Sequence, residues 1–278
     1  MNFENTYLTI KSFDDINLHY KKNIIDSPKA VILILHGLAE HSGRYEYTTK
    51  KLNSFGYSVY RYDHRGHGMS DGKRGFLKDT DNLVEDTNGF IDLIKSENPN
   101  IPIFMLGHSV GGHVLAEFGS KYKNKINGMI FSSPLICDTI GLCNFDFNNI
   151  DPYALVAECN SHDLTHDINA MTSYESDFLI LENITLGMYC ALNKSCKNIK
   201  DKLENFNYPC FIIHGSSDTV VSCEDSKFLY EHIASIDKEL KILNGLYHKL
   251  LDEIVKDEIL YEISKWIECI LSRKGYFK

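Results

Sequence analysis

Apolar and polar positions along the chain predict a short hairpin followed by a buried strand. Residues 7–10 and 16–20 carry apolar and polar side chains in alternation on either side of a turn at Asp14 and Asp15, which is typical of half-buried antiparallel strands. Residues 30–35 are apolar without alternation, as expected of a strand that is covered on both faces. We therefore expect the chain to enter a buried sheet by residue 30.

From residue 36 onward, strand-like and helix-like segments alternate. Strand-like segments are predicted at residues 58–62, 103–106, 128–131, 210–213 and 239–243. Helical spacing of apolar residues predicts helices near residues 44–55, 80–97, 110–122, 224–235 and 252–271. Because strand–helix–strand order gives parallel strands with helices on both faces, we expect an α/β fold with a mostly parallel eight-stranded sheet flanked by helices.

The alternation is interrupted between residues 135 and 205. This segment has no buried-strand signal, and it mixes polar stretches such as 148–151 with apolar patches such as 178–181. It also lacks the low-complexity composition of a flexible linker. We interpret residues 135–205 as a helical cap, or lid, inserted into one α/β core that is formed by residues 1–134 and 206–278.

Composition and charge exclude some classes of protein. Hydrophobic residues make up 43% of the 278 positions, so a sizeable core is available without a metal or disulfide framework. The net charge of −9 argues against nucleic-acid binding, which rests largely on Lys and Arg contacts to phosphates. The local cluster of Lys121, Lys123 and Lys125 is better explained as a solvated face. We expect no nucleic-acid partner.

The cysteines and the apolar runs of the sequence indicate the cellular compartment in which the protein is expected. The eight cysteines form no C-x-x-C pair and no zinc spacing, which favours free thiols in a reducing compartment and leaves a disulfide in the middle region open. The N-terminus has no basic segment followed by an apolar stretch, and the run at 30–35 is far shorter than the ~20 residues of a membrane helix. We expect a soluble, cytoplasmic protein and leave contact with a membrane surface open.

The pentapeptide G-H-S-V-G at residues 107–111 fits the pattern G-x-S-x-G. A predicted buried strand runs into it and a predicted helix begins directly after it, which is the setting of a nucleophilic serine. Glycines at 107 and 111 let neighbouring backbone come close, and the N-terminus of the helix favours developing negative charge. We predict that Ser109 is a nucleophile and not an incidental serine in a glycine-rich helix start.

A serine hydroxyl needs an imidazole to take its proton and a carboxylate to orient that imidazole. Asp218 lies in a short loop after the predicted strand 210–213, and His248 lies after the strand 239–243. The order serine, acid, histidine along the chain is the one that accompanies such a strand–turn–helix nucleophile. We therefore predict Asp218 as the acid and His248 as the base.

Other acids and histidines have simpler explanations. His214 looks like a strand-end residue beside the loop of the predicted acid, and His232 lies in a predicted helix. His162 and His166 fall in the insertion, where exposure or packing within the cap is expected. Two aspartates near predicted helix starts are interpreted as capping residues, namely Asp225 and Asp252.

The tetrahedral intermediate of acyl transfer needs hydrogen-bond donors for its oxyanion. One donor should be the backbone N–H of Val110, and the second should come from the loop after the strand at 30–35. We assign the second donor to the N–H of Leu38. The alternative is that His36 and Gly37 only terminate the strand.

The segment D-H-R-G-H-G-M-S at residues 63–70 follows the predicted strand 58–62. Its two histidines raise the question of a metal, but they lack carboxylate or cysteine partners at suitable spacing. We expect a tight, hydrogen-bonded loop near the nucleophile and no metal site.

Together these segments make the chain resemble the monoacylglycerol lipase and lysophospholipase branch of the α/β-hydrolases. The matching stretches are H-G-L-A-E-H-S-G-R-Y at 36–45, D-H-R-G-H-G-M-S at 63–70, G-H-S-V-G-G at 107–112, H-G-S-S-D at 214–218 and Y-H-K-L-L at 247–251. They run in family order over nearly the whole chain, and the E-H-S-G-R-Y tail of the first is typical of this branch. The insertion matches poorly apart from residues 175–179.

The resemblance implies hydrolysis of the ester of a monoacylglycerol or lysophospholipid, without a cofactor. It implies that the cap shields an apolar acyl channel and can lie on a membrane. It also implies that Glu40 and Arg44 line the head-group end of the site, with a mutual salt bridge as the alternative. Leu251 stands where monoacylglycerol lipases often have a polar residue, so the head group stays open.

Other function classes stay open at this point. The scaffold could serve a small-ester esterase or a peptidase, or a ligand-binding protein without catalysis, since a fold alone does not fix function. The set of Ser109, Asp218 and His248 argues against the non-catalytic alternative. Dehalogenase or epoxide hydrolase chemistry would require an aspartate at position 109. We expect a serine ester hydrolase acting on lipid esters.

Overall fold

The computed structural model describes residues 8–137, 151–157 and 164–276. The strands are β1 (Leu8–Lys11), β2 (Asn17–Asn23), β3 (Ala30–Leu35), β4 (Tyr57–Tyr62), β5 (Ile103–His108), β6 (Gly128–Ser132), β7 (Leu155–Ala157), β8 (Asn183–Thr185), β9 (Cys210–Gly215) and β10 (Lys238–Leu243). The helices are α1 (Glu46–Ser54), α2 (Asp81–Glu97), α3 (Val110–Lys121), α4 (Ile168–Glu175), α5 (Leu186–Asn198), α6 (Lys200–Leu203), α7 (Cys223–His232) and α8 (Lys256–Arg273).

Eight of these strands form one sheet in the order β1-β2-β4-β3-β5-β6-β9-β10. Parallel pairing joins β4, β3, β5, β6, β9 and β10 in that order, whereas β1 pairs antiparallel with β2, and β2 pairs antiparallel with β4. β3, β5 and β9 are buried along their whole length, because helices cover both faces of a parallel sheet. The predicted α/β fold with a mostly parallel eight-stranded sheet is confirmed.

The register brings the carboxyl ends of the central strands to one edge. Leu35 of β3 pairs with Gly107 of β5, and His108 of β5 pairs with Ser132 of β6. The loops that follow these strands therefore emerge side by side. In open α/β sheets, ligands bind in the crevice outside this edge.

Two apolar clusters hold the helices against the sheet. On one face, Trp266 of α8 lies 6.0 Å from the ring of Phe104 in β5 and 6.1 Å from that of Phe211 in β9. On the other face, Phe118 of α3 belongs to a buried cluster that also includes Leu192 of α5. α5 therefore packs into the same apolar core as α3, the helix that follows β5.

The segment predicted as a helical insertion contains a short ribbon as well as helices. β7 and β8 pair antiparallel over three residues each, beside the helices α4, α5 and α6. Three-residue strands are too short to give an apolar run, and most of β7 is exposed, which explains why the sequence pattern missed them. The division into a core at 1–134 and 206–278 and a cap at 135–205 stays a prediction, and residues 148–150 and His162 lie outside the described residues.

Two predicted helices begin with a tighter turn. A 3-10 turn at Ser42–Tyr45 precedes α1, and another at Leu250–Asp252 precedes α8. The helix predicted from residue 252 starts instead at Lys256, because the backbone of Glu253 is extended. The loop before α8, which carries the predicted base His248, is therefore longer than predicted.

No disulfide joins the six cysteines that the structure describes, while Cys143 and Cys159 lie outside the described residues. Across the three described stretches, no helix has both the length and the apolar character needed to cross a bilayer.

Candidate active site

Ser109 lies at the turn between β5 and α3 in a strained backbone conformation, with φ 52° and ψ −117°. A non-glycine residue at such a φ is costly and persists only when the surroundings fix it. Here its N–H donates to the carbonyl of Ser132 at 3.1 Å, and its own carbonyl accepts from the N–H groups of His113 and Leu135, both at 3.1 Å. These bonds hold the side chain of Ser109 out at the edge of the sheet.

The two glycines of the pentapeptide are required by close backbone contact. A Cβ on Gly111 would lie 2.3 Å from the carbonyl oxygen of Leu35, and one on Gly107 would lie 2.5 Å from the carbonyl oxygen of Gly111. Real Cβ contacts are not this short. Any larger side chain at either position would displace β3 or the turn that carries Ser109.

Asp218 and His248 form a buried hydrogen-bonded pair. The ring Nδ1 of His248 lies 2.6 Å from Asp218 Oδ2, and Asp218 Oδ1 accepts from the N–H groups of Val220 and Val221, both at 2.9 Å. Burial alone would raise the pKa of the Asp218 carboxyl, but the charge of His248 and the hydrogen bonds of two histidines hold that pKa below its ordinary value. An ionised Asp218 keeps the proton of His248 on Nδ1, which leaves Nε2 as an acceptor.

Ser109 and His248 line the same cavity. No hydrogen bond joins the hydroxyl of Ser109 to the His248 ring in the described part of the chain, and catalytic pairs without substrate are often loose in this way. The ring of His108 lies 4.6 Å from that of His248. Burial lowers the pKa of His108 to about 3, so His108 stays neutral beside the candidate base.

The two candidate oxyanion donors also line this cavity. Neither the N–H of Leu38 nor that of Val110 has a hydrogen-bond acceptor among the described residues. The chain bends sharply after Leu38, since Ala39 has a φ of 62°. Val110 is the first residue of α3, and the early N–H groups of a helix have no partner within it. Both groups are therefore available to an oxyanion.

The two candidate head-group residues are not paired with each other. Glu40 accepts from the N–H of Gly37 at 2.6 Å and from the hydroxyl of Tyr45 at 2.7 Å. Arg44 instead donates to the carbonyl and hydroxyl oxygens of Ser173, at 3.1 and 2.9 Å, in α4. Of the two, Glu40 lines the cavity that contains Ser109.

Arg44 lies farther out and ties the cap segment to the core. It contacts Asp177 Oδ2 at 3.3 Å, and it lines a small pocket beside the main cavity together with Leu251 and Asp252. The alternative of a salt bridge between Glu40 and Arg44 is wrong, because each side chain has other partners. A role for either residue in substrate binding stays a prediction.

Sequence reasoning missed two residues at this site. His214, interpreted only as a strand-end residue, places its Nε2 3.0 Å from Asp218 Oδ2 and its Nδ1 2.7 Å from the hydroxyl of Ser226. Lys249, to which no role was assigned, places its Nζ 2.5 Å from Glu40 Oε2. The four-residue spacing of His214 and Asp218 at a strand end was the available signal for the first, and nothing in the sequence signalled the second.

The weaker candidates have the structural roles that packing gives them. His166 stacks on Tyr247 at 3.9 Å and lies 2.9 Å from Glu253 Oε1, and His232 lies 2.8 Å from the carbonyl of Phe228. The capping interpretation of Asp225 is wrong, because Ser222 caps α7. Asp225 instead accepts from the N–H groups that follow β6, those of Ile136 and Cys137, at 2.7 and 3.0 Å.

Asp63 organises the loop at 63–70. It accepts from the N–H groups of Ser42 and Met69, both at 2.8 Å, and lies 3.1 Å from Nδ1 of His19. In the described stretches, no cluster of three or more His, Cys, Asp or Glu side chains could hold a metal ion. Through its bond to the N–H of Ser42, Asp63 ties this loop to the segment that carries Glu40.

The cavity combines a few polar groups with largely apolar walls. It contains about 700 Å³ of space between the atoms, part of it open to solvent. Glu40, Lys249 and His248 are among its polar lining residues. The apolar and aromatic lining comes from both core and cap segments: Leu38, Val110, Leu135, Leu164, Tyr174, Tyr189, Leu192, Val220 and Val221. A pocket of this kind, with few convergent polar groups, fits an apolar ligand with one reactive polar end.

Comparison with known proteins identifies the family. A family model described as serine aminopeptidase, S33, matches residues 26–254, most of the chain. The chain belongs to this S33 family of α/β hydrolases. The relationship predicted from the motifs is confirmed, and the protein is a serine hydrolase.

The relatives of this S33 hydrolase include lipases. It is 30% identical to the monoglyceride lipase of Homo sapiens over 251 residues, which cover 87% of this chain and 83% of the relative. It is 28% identical to the monoacylglycerol lipase of Mycolicibacterium smegmatis over 247 residues, 86% of this chain and 88% of the relative. The crystal structure of a soluble variant of the Saccharomyces cerevisiae monoglyceride lipase with a substrate analog matches with a TM-score of 0.83 at 22% identity, over 96% of this chain and 95% of that one.

Proposed function

We propose that the protein hydrolyses the ester of single-chain lipids, monoacylglycerols or lysophospholipids, through an acyl-enzyme on Ser109. The observation that carries the proposal is the meeting of Ser109 and the Asp218–His248 pair in one cavity whose walls are largely apolar. The names of the relatives, monoglyceride and monoacylglycerol lipase, support the same substrate class.

Each residue of the site has a defined part in this chemistry. His248 Nε2 takes the hydroxyl proton of Ser109 while the oxygen attacks the acyl carbonyl. The N–H groups of Leu38 and Val110 stabilise the oxyanion. His248 then gives the proton to the leaving alcohol as its bond to the acyl carbon breaks. Water, deprotonated by the same His248, attacks the acyl-enzyme, and the free fatty acid leaves as Ser109 regains its proton.

Residues 135–205 act in this proposal as a cap over the acyl chain. Among the described residues, Leu164, Tyr189 and Leu192 bring apolar or aromatic surface into the cavity. An acyl chain bound there removes its own apolar surface from water, which contributes about 25 cal/mol per Å² buried. The cap therefore selects for an acyl chain, while the polar lining residues receive the head group.

The outer surface of the cap segment supports contact with a lipid surface. Four large apolar side chains are at least about half exposed there: Tyr153, Leu155, Ile168 and Phe178. Exposed apolar groups of this kind favour transfer from water to an interface. We also infer a reducing, cytoplasmic location, which the absence of a disulfide among the six described cysteines supports.

A fluorophosphonate probe tests the nucleophile directly, because it forms a covalent bond with an activated serine. The parent protein should be labelled, and the Ser109→Ala variant, with unchanged thermal unfolding, should not be. Labelling that persists in Ser109→Ala would refute the assignment of Ser109.

A panel of substrates tests the specificity. Release of the acyl group should be compared for a long-chain monoacylglycerol, a lysophosphatidylcholine with the same acyl chain, short p-nitrophenyl esters and an aminoacyl p-nitroanilide. We expect the two lipid esters to give the highest kcat/KM. A strong preference for the shortest esters would indicate a small-ester esterase, and a preference for the anilide would indicate a peptidase.

A further inference from the structure

Lys249 follows the candidate base directly and is buried in the wall of the active-site cavity. Its Nζ lies 2.5 Å from Glu40 Oε2 and 4.7 Å from the centre of the Tyr174 ring. Its backbone N–H donates to the carbonyl of Leu164 at 2.7 Å. The proposed reaction gives this lysine no task, although it contacts the oxyanion loop through Glu40 and the cap segment through Tyr174.

Glu40 links this lysine to the oxyanion loop. Its Oε1 accepts from the N–H of Gly37 at 2.6 Å, and Gly37 immediately precedes the candidate donor Leu38. A methyl group placed on Gly37 would lie 3.1 Å from Glu40 Oε1 and 3.2 Å from Ser109 Cβ. The Glu40 carboxylate and Ser109 therefore both lie within contact distance of the same methyl-sized position beside Gly37.

A carboxylate in this position would oppose catalysis if it were unpaired. The reaction places a second negative charge on the substrate oxygen, and two like charges repel strongly where little water separates them. Burial would raise the pKa of Glu40, but above all the charge of Lys249 holds it well below its ordinary value. Glu40 is therefore ionised and needs a cation beside it.

The neighbouring charged groups do not replace Lys249. Arg44 is directed to Asp177 and Ser173, and the low pKa of His108 keeps that ring neutral. Asp252 Oδ2 lies 3.7 Å from Lys249 Nζ and adds a further acid to the cluster. Among the described residues, Lys249 is thus the cation in hydrogen-bond contact with Glu40.

We propose that Lys249 is a positioning residue for the oxyanion loop. Its ammonium neutralises Glu40 and keeps that carboxylate hydrogen-bonded to the N–H of Gly37. The N–H of Leu38 can then donate to the oxyanion without an unpaired negative charge nearby. This inference rests on the proposed acyl-enzyme chemistry at Ser109. Stability alone is a poor reason for the pair, because an apolar pair of similar size often stabilises a core at least as well.

The first test compares two lysine variants that differ in what they contact. Lys249→Met leaves Glu40 without its cation, and we expect kcat for a p-nitrophenyl ester and a monoacylglycerol to fall about tenfold to a hundredfold, with KM changed less than about threefold. Lys256→Met is the matched control. Lys256 also joins the core to the cap segment, through Asp167 at 2.7 Å, but it does not contact Glu40, so its kcat should stay within about twofold of the parent.

The second test removes the negative charge instead of the positive one. In Glu40→Gln the amide oxygen can still accept from Gly37, so Lys249 loses its task, and adding Lys249→Met should change kcat less than about threefold relative to Glu40→Gln alone. This comparison does not require that Lys249→Met folds on its own. A double variant at least tenfold slower than Glu40→Gln would overturn the inference, because Lys249 would then act independently of Glu40.

The outcomes separate this inference from the function beneath it. A parent enzyme that neither binds the fluorophosphonate probe nor releases acyl chains would overturn the proposed function and this inference together. An active parent whose Lys249→Met variant folds and keeps its kcat would overturn the inference alone. A loss confined to KM would also contradict it, because the lysine would then act on substrate binding and not on the oxyanion.

Discussion

The two sides of the active-site cavity are built differently. On the core side, Ser109, Asp218 and His248 are fixed by strained backbone or by short hydrogen bonds to buried neighbours. On the cap side, Leu164 and Leu192 contribute apolar surface. From this difference we expect the core to determine the reaction, where small displacements are costly, and the cap to determine the substrate, because apolar surfaces can repack.

The two sides meet at the loop that carries the candidate oxyanion donor. The N–H of Leu181 donates to the carbonyl of Ala39 at 2.8 Å, and Ala39 follows Leu38 directly. Arg44, at the other end of the same loop, contacts the cap helix α4. A displacement of the cap would therefore reach the oxyanion loop, and it would also reach the loop that carries His248, because the N–H of Lys249 donates to the carbonyl of Leu164 at 2.7 Å.

The largest effect should come from the core side. Asp218→Asn keeps the size of the side chain but supplies an amide in place of the ionised acceptor, so His248 loses the group that fixes its tautomer. We expect kcat to fall about 10⁴-fold with KM little changed, measured with a p-nitrophenyl ester.

The control for this variant is its thermal unfolding, which should show a cooperative transition. A folded Asp218→Asn protein that kept more than a tenth of the parental kcat would show that the core side is less rigidly determined than its hydrogen bonds suggest.

His214 should have a smaller effect, because it acts on the acid and not on the base. His214→Phe removes one donor from Asp218 Oδ2 and leaves His248 and the two backbone N–H groups in place. We expect kcat to fall about tenfold. Ser226→Ala is the matched control, because Ser226 contacts the far ring nitrogen of His214 at 2.7 Å, and it should lower kcat less than about threefold. Equal losses in the two variants would contradict a role of His214 at the acid.

The cap side should alter selectivity and not the chemical step. Leu192 of α5 is buried and lines the cavity, so Leu192→Ala widens the space for the acyl chain. We expect kcat/KM for long chains relative to short ones to change about tenfold or less, while probe labelling of Ser109 continues. The free energy of unfolding should fall by about 2–5 kcal/mol.

Leu203→Ala separates selectivity from stability. Leu203 of α6 is equally buried but does not line the cavity. It should therefore cost a similar free energy of unfolding without shifting the chain-length profile. A matching shift in both variants would mean that the cap acts through its overall stability.

The contrast between the two sides also explains what the sequence could predict. The triad candidates were found because Ser109, Asp218 and His248 each follow a segment whose pattern predicts a strand, and the sheet brings strand ends together. His214 and Lys249 were missed because their partners, Ser226 and Glu40, are fixed by tertiary packing. No periodicity reports such contacts.

The cap was harder to predict for a physical reason. Its ribbon strands are three residues long and partly exposed, so they lack the continuous apolar run that identifies β3 or β5. Its helix α4 has no buried residue, and a helix without a buried face leaves little periodic signal. The cap side of the cavity is thus the side that a sequence pattern describes least.

The smallest predicted effect is on the stability of the fold at acidic pH, and it too should arise from a residue of the core. Burial would raise the pKa of Asp63, but the hydrogen bond with His19 and those from backbone N–H groups hold it below its ordinary value of 3.8. Near and below that value, the unfolded chain binds a proton that the folded chain does not, so the free energy of unfolding falls as the pH falls. Asp63→Asn should lower that free energy by about 1–3 kcal/mol at pH 7 and flatten its decline between about pH 5 and pH 3.

The matched control on the cap side is Asp167→Asn. Asp167 is a partly exposed residue that caps α4 through the N–H groups of Asn169 and Ala170, and asparagine caps a helix about as well. Its pKa is also lowered, first by the hydrogen bond from Lys256, but solvent screens that pair. Denaturant titrations at pH 7, 5, 4 and 3 should therefore show a nearly parental acid slope for Asp167→Asn and a flatter one for Asp63→Asn. The reverse ranking would place the acid-sensitive carboxylates in the cap and contradict the assignment of the rigid side to the core.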